Sequence, residues 1–240
     1  GVRVPLPEDI GVLNLYEFIK FISPKKYVGI EVEVENVPGL EKLDQKIWSI
    51  KEDGSLRNNG LEFVSFPICG DTIKLALHEF FLYLPKRADF SDRTSIHVHV
   101  NMRDAKCEDL INLMLLYITF ERLLFQFAGP TRYSNIFCIP IQETKLPIAL
   151  ANYLVHHNLI GLIREWQKYS GLNLAPIRSF GTVEYRQMMG HRDTIYLLKW
   201  ISILLRLHKY AKQSNFIILF NHIKTLNTTS LYEEFIRIVF

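Results

Sequence analysis

Tyr27-Val28-Gly29-Ile30-Glu31-Val32-Glu33-Val34 alternates apolar with acidic residues at a period of two, the signature of a half-buried strand. Working outward, the same alternation returns in Leu61–Phe66, in Thr94–Met102 and in Arg178–Met188, and a further strand is expected near Lys46–Lys51. Gly54 and the Asn58-Asn59-Gly60 turn separate two of these runs. Strands of a parallel sheet covered on both faces would be apolar throughout. One polar face and one helix-covered face instead predict an α+β architecture, an antiparallel sheet with helices packed on one side.

Helical spacing of apolar residues predicts helices over Asn14–Ile22, Asp71–Leu84, Glu108–Phe127, Leu146–Tyr169, Thr194–Lys212 and Leu231–Phe240. Pro85 and Gly129-Pro130 stop two of them. No repeat, low-complexity run or Gly/Ser linker divides the chain. A single domain over residues 1–240 is expected, with its core at about 27–192 and helical extensions at both ends.

Composition narrows the function classes. Hydrophobic residues make up 48% and charged residues 22% of 240, which describes a well-cored globular chain. A net charge of +3 suits an anionic ligand such as a nucleotide but lacks the concentrated basic stripe of a nucleic-acid binder. Cys69, Cys107 and Cys138 are too few and too scattered for a disulfide framework or a Cys-based zinc site. The stretch Ile195–Leu207 is short and interrupted by Lys199 and Arg206, so no membrane span is expected and the reading is cytoplasmic.

The polar positions carry the chemistry. Glu31, Glu33 and Glu35 fall at i, i+2 and i+4, one side of one strand. Carboxylates about 7 Å apart repel by about 2 kcal/mol per adjacent pair at an effective dielectric near 20. Such a row is tolerated opposite lysines, with Lys46 and Lys51 as candidates, or around a divalent cation such as Mg²⁺ or Mn²⁺. Glu62 stands alone between apolar neighbours. His97 and His99 share a face with Asn101, and Glu184 shares one with Arg186. Histidines so spaced are metal or phosphate ligands, or a hydrogen-bonded pair on a polar face. Glu184 and Arg186 are also readable as a surface ion pair. Arg132, after the Gly129-Pro130 stop, either meets phosphate oxygens or caps carbonyls. Asp53 reads chiefly as a turn former. The polar face as a whole carries Glu, His, Asn and Arg, with few of the Thr, Lys and Gln expected of an ordinary solvated sheet.

Gly29-Ile30-Glu31-Val32-Glu33, Asp53-Gly54-Ser55-Leu56, Gly60-Leu61-Glu62-Phe63-Val64-Ser65, His97-Val98-His99-Val100-Asn101, Arg132 with Asn135, and Thr182-Val183-Glu184-Tyr185-Arg186, in that order, resemble the amidoligase family. That family belongs to the carboxylate–amine ligases related to glutamine synthetase and glutamate–cysteine ligase. The resemblance covers about Tyr27–Arg192. It implies a glutamine-synthetase-like antiparallel sheet, ATP as cosubstrate, and two or more Mg²⁺ (or Mn²⁺) ions. By position it implies Glu31, Glu33, Glu62, His97 and Glu184 as metal ligands. It further implies His99, Asn101, Arg132 and Arg186 as nucleotide contacts, with Arg186, Arg132 and Glu184 acting in catalysis. Glu35 has no counterpart, and no base is nominated beyond the nearby carboxylates Glu35 and Asp53. The expected activity is ATP-dependent amide formation through an acyl phosphate. The carboxylate and amine come from amino acids, peptides, protein side chains, cell-wall fragments or modified nucleotides. Two other readings stay open: a phosphotransferase of the same fold, and a non-catalytic nucleotide- or metal-binding module. The sequence leaves oligomeric state open.

Overall fold

A computed structural model describes residues 26–37, 47–156 and 158–240. The helix expected over Asn14–Ile22 and the Lys46 partner considered for the acidic strand lie outside the described residues. Six strands are seen: β1 (Val28–Val34), β2 (Trp48–Glu52), β3 (Leu61–Ser65), β4 (Ser95–Asn101), β5 (Leu172–Asn173) and β6 (Thr182–Met189). They form one sheet in the order β2-β3-β1-β4-β6-β5. Every pairing is antiparallel, as the alternating pattern requires. The helices are α1 (Asp71–Tyr83), α2 (Cys107–Ala128), α3 (Leu146–His156), α4 (Leu159–Glu165), α5 (Pro176–Phe180), α6 (Thr194–Gln213), α7 (Phe216–Ile223) and α8 (Thr228–Val239).

The apolar half of the alternation builds the core. Ile30 and Val32 of β1, Phe63 of β3, Val98 of β4 and Tyr185 of β6 are fully buried. They belong to the same cluster as Phe80 of α1, Tyr117 of α2 and Trp200 of α6. Each such side chain contributes roughly 1.5–3 kcal/mol when removed from water. The sequence reading expects no span and takes Ile195–Leu207 as the most apolar stretch; α2 is the one helix among the described residues long and apolar enough to cross a bilayer. Here it is a core helix, packed on β6 and α6.

Three sequence expectations are corrected. The long helix over Leu146–Tyr169 is two helices, because Asn158 caps α4 with its side chain accepting from Gly161 N, and α4 stops at Trp166. The strand expected from Arg178 starts only at Thr182: Pro176–Phe180 forms one helical turn, opened by Pro at its first position and closed by Gly181 at φ 66°. That short α5 lies on the polar side of the sheet, so helical structure is not confined to one face. Strand β5 and helix α7 fall in segments where no element was expected.

Candidate metal centre

Strand register brings the polar residues together. Glu33 of β1 lies opposite Glu62 of β3, Glu31 lies opposite His97 of β4, and His99 lies opposite Glu184 of β6. Directly opposed residues have Cβ atoms about 5 Å apart, so four strands place three acid-rich pairs side by side. The loops and α5 roof them into a cavity of about 350 Å³, whose lining includes Glu31, Glu33, Asp53, Glu62, His97, His99, Glu184 and Arg186.

The polar face of the sheet is largely buried at its centre. Glu33 and Glu184 are each 4% exposed and His97 is 2% exposed. Buried carboxylates need compensation, and His97 supplies part of it. Its Nδ1 lies 3.1 Å from Glu31 Oε2 and 3.3 Å from Glu184 Oε1. Its Nε2 lies 2.7 Å from Ser95 Oγ, and that hydroxyl donates to Glu33 Oε2 at 2.6 Å. Both ring nitrogens therefore face acceptors, the arrangement of an imidazolium. Burial and Arg186 work against that charge, but Glu33, Glu31 and Glu184 outweigh them and raise the His97 pKa. Burial alone would raise Glu31, yet the hydrogen bond from His97 and the His99 imidazole beside it hold it well below the ordinary carboxylate range. Glu184 is likewise lowered against burial by His97 and Arg186. For Glu62, burial, then the charge of Glu31, outweigh His97 and the cross-strand Lys51 and push it up to about 7.

Three groups each bring three ligand atoms within 4.8 Å of one another: Glu31, His99 and Glu184; Glu31, Glu62 and His97; and Glu33, Asp53 and Glu62. The buried Nε2 of His99 has no hydrogen-bond partner among the described residues; it lies 3.2 Å from Glu31 Oε1 without the alignment for one. Carboxylate oxygens joined by an imidazole nitrogen suit a hard or borderline divalent cation. The donor set fits such an ion.

The remaining sequence candidates separate. Arg186 lines the cavity, pairs with Glu184, donates from Nε to Phe137 O at 3.2 Å and sits 5.8 Å from the Tyr169 ring centroid. Arg132 does not line the cavity. Between Ile96 and Val98 the β4–β6 register shifts, leaving Arg186 and Gln187 together opposite His97. The carbonyls at this bulge accept from Arg132, Gln187 O from Nε and Arg186 O from Nη2, both at 3.0 Å. Asp92 O accepts from its Nη1 at 3.4 Å. The expected phosphate contact is thus corrected to a main-chain clamp, the capping role displaced from the helix end to the bulge. Asn101 lies outside this cavity, in a neighbouring one of about 230 Å³ that shares Glu31, His99 and Phe180 with it. Glu35 is withdrawn from the acidic row: its Oε1 accepts from Arg57 N at 2.8 Å, tying β1 to the 53–60 turn.

One contributor escapes the sequence reading, and a second reads there as a turn former and candidate base. Asn173 donates to Glu184 Oε2 at 2.7 Å from the two-residue strand β5, too short to leave a periodic signal. Asp53 serves as more than a turn former. Its Oδ1 accepts from Ser55 N at 2.8 Å, and the same side chain joins Glu33 and Glu62 in a ligand group.

No protein-family model matches this chain, and no curated protein matches it. The functional reading therefore rests on the geometry above and on the residue patterns that produce it.

Proposed function

We propose that the protein is an ATP-dependent carboxylate–amine ligase with a glutamine-synthetase-like sheet, forming an amide through an acyl phosphate. The observation that carries this reading is the convergence of Glu31, Glu33, Glu62, His97 and Glu184 from four strands onto one enclosed surface. In that reading Mg²⁺ or Mn²⁺ is held by those residues with Asp53 and His99, and supplies neutralisation of phosphate charge.

The two adjoining cavities support a division of labour. The second is the more apolar, lined by Tyr27, Val64, Phe66 and Pro67, with Asn101 and Thr182 at its polar side. It takes the nucleotide base, so that the phosphates run past His99 and Glu31 into the acidic cavity. There the carboxylate oxygen attacks the terminal phosphorus. A new O–P bond forms, the bond to the bridging oxygen breaks, and the nucleoside diphosphate leaves. Arg186 keeps Nη2 without a partner among the described residues, available to the transferring oxygens. Burial of Glu33, His97 and Glu184 limits water around the reacting groups, which protects the acyl phosphate from hydrolysis. The amine nitrogen then attacks the acyl carbon, phosphate departs with the C–O electron pair, and the amine proton passes to a carboxylate of the cavity.

Trapping with hydroxylamine tests this directly. With ATP, Mn²⁺ and a panel of carboxylic acids, the reading expects a hydroxamate together with ADP and phosphate, absent from Glu184→Gln. A stable phosphorylated acceptor with no hydroxamate would instead identify a phosphotransferase. Tight nucleotide binding without turnover on any acceptor would identify a non-catalytic module.

A further inference from the structure

Arg93 and Lys168 line the acidic cavity, yet neither pairs with a carboxylate among the described residues. In a chamber with five acidic side chains, each cation instead lies over an aromatic ring. The guanidinium carbon of Arg93 lies 6.0 Å from the Phe137 centroid, while Nη1 donates to Ser55 O at 2.8 Å. Lys168 Nζ lies 5.5 Å from the Tyr169 centroid. The two rings meet edge to face with centroids 6.2 Å apart.

Backbone bonds fix this arrangement. Ile139 N donates to Tyr169 O at 2.7 Å and Gly171 N donates to Ile139 O at 2.9 Å, locking the two ring-bearing segments side by side. From behind, the buried Glu121 carboxylate accepts from Ile141 N at 2.7 Å and anchors the first segment to α2. A ring face holds a cation without using its N–H donors, so the lip of the cavity keeps two positive groups free to meet an anion. Neither residue lines the second cavity.

We propose that the carboxylate substrate carries a second anionic group, of carboxylate or phosphate type, which Arg93 and Lys168 bind while Phe137 and Tyr169 pack against the connecting atoms. The inference rests on reading the acidic cavity as the carboxylate site, and it names Arg93 and Lys168 as specificity-determining residues. A singly charged acid would leave both cations without a partner; a dianion meets them at the lip while its reacting carboxyl reaches the acidic cluster.

The test is calorimetric titration of the full chain in Mn²⁺, without nucleotide. Succinate, glutarate and adipate are compared with their monomethyl esters, and 4-phosphonobutyrate covers the phosphate type. The expected result is that at least one dianion binds about fivefold or more tightly than the matched half-ester, the scale of one partly exposed ion pair. Lys168→Met brings that dianion down to the half-ester's affinity with Mn²⁺ binding intact, whereas Lys168→Arg keeps the preference. The tighter of the carboxylate and phosphonate arms identifies the source of the second anion. The proposal is overturned if no dianion is preferred, if the preference survives Lys168→Met combined with Arg93→Met, or if Lys168→Met weakens only a non-hydrolysable ATP analogue. None of these readings needs turnover, so failure here leaves the ligase reading to be judged by hydroxamate trapping.

Discussion

His97 occupies the position a metal ion would contest. With Glu31 and Glu184 at Nδ1 and Ser95 at Nε2, it bridges the carboxylates in the arrangement of an imidazolium. A histidine that ligates must give up a proton. Mn²⁺ binding is therefore expected to release protons, read as a dependence of the calorimetric heat on buffer ionisation enthalpy; uptake with no proton release would contradict the ligand role of His97. Glu62, pushed up to about 7, must also deprotonate to ligate. The sign follows: Mn²⁺ affinity rises as pH rises through about 7, and Glu62→Gln flattens that rise while weakening binding throughout. Ser95 touches both Glu33 and His97 but is in no ligand group. Removing such an orienting hydroxyl costs about tenfold in metal affinity, so Ser95→Ala should bind Mn²⁺ about tenfold more weakly without changing the number of ions bound. At this scale the sequence was informative about residue type and poor about partners. Spacing at i and i+2 put Glu31 with Glu33 and His97 with His99. That His97 would face three carboxylates depended on the β1–β4 register, which no local pattern encodes.

At the scale of elements, the β6 bulge sets the direction of two side-chain rows. Without it, strict alternation from Glu184 would put Met188 on the site face; with it, Met188 pairs with Ile96 in the core while Arg186 stays over the cavity. Arg132 is the clamp that satisfies the bulged carbonyls. Arg132→Ala removes a buried charged donor from three carbonyls and should cost about 3 kcal/mol of stability by urea denaturation. A loss below roughly 0.5 kcal/mol would show that the bulge does not depend on the clamp. Strands β1, β3 and β4 were legible because their alternation is strong over five to seven residues. The α5 turn was hidden within a run that looked extended, although Pro176 and Gly181 mark its two ends. Two-residue β5 offers no periodicity at all, and Asn173 was missed with it.

Across the whole molecule, the polar face and the core are coupled through β6, whose Tyr185 hydroxyl lies 2.9 Å from Nε2 of His208 on α6. Burial, then the charge of Lys212, lower His208 from 6.5 to about 3. The unfolded chain therefore takes up this proton near pH 6.5 and the folded chain only near pH 3, so folding stability falls as pH drops through that window. Between pH 7 and pH 5 the His208 contribution is about 2 kcal/mol. His208→Gln should show a correspondingly shallower loss of thermal stability over that range; an unchanged slope would contradict the assignment. The α+β class was legible from alternation alone, since polar residues on every second position exclude a sheet covered on both faces by apolar helices. The enclosure of that polar face was not, because the roof comes from loops and α5 rather than from the strands. The proposed function requires the carboxylates and histidines to form a cation site, and co-crystallisation with Mn²⁺ and a non-hydrolysable ATP analogue tests this most directly. Anomalous scattering is predicted to locate Mn²⁺ within the three ligand groups, His97 contributing through the one it forms with Glu31 and Glu62. Ions bound elsewhere, with His97 still paired to Glu31 and Glu184, would contradict it.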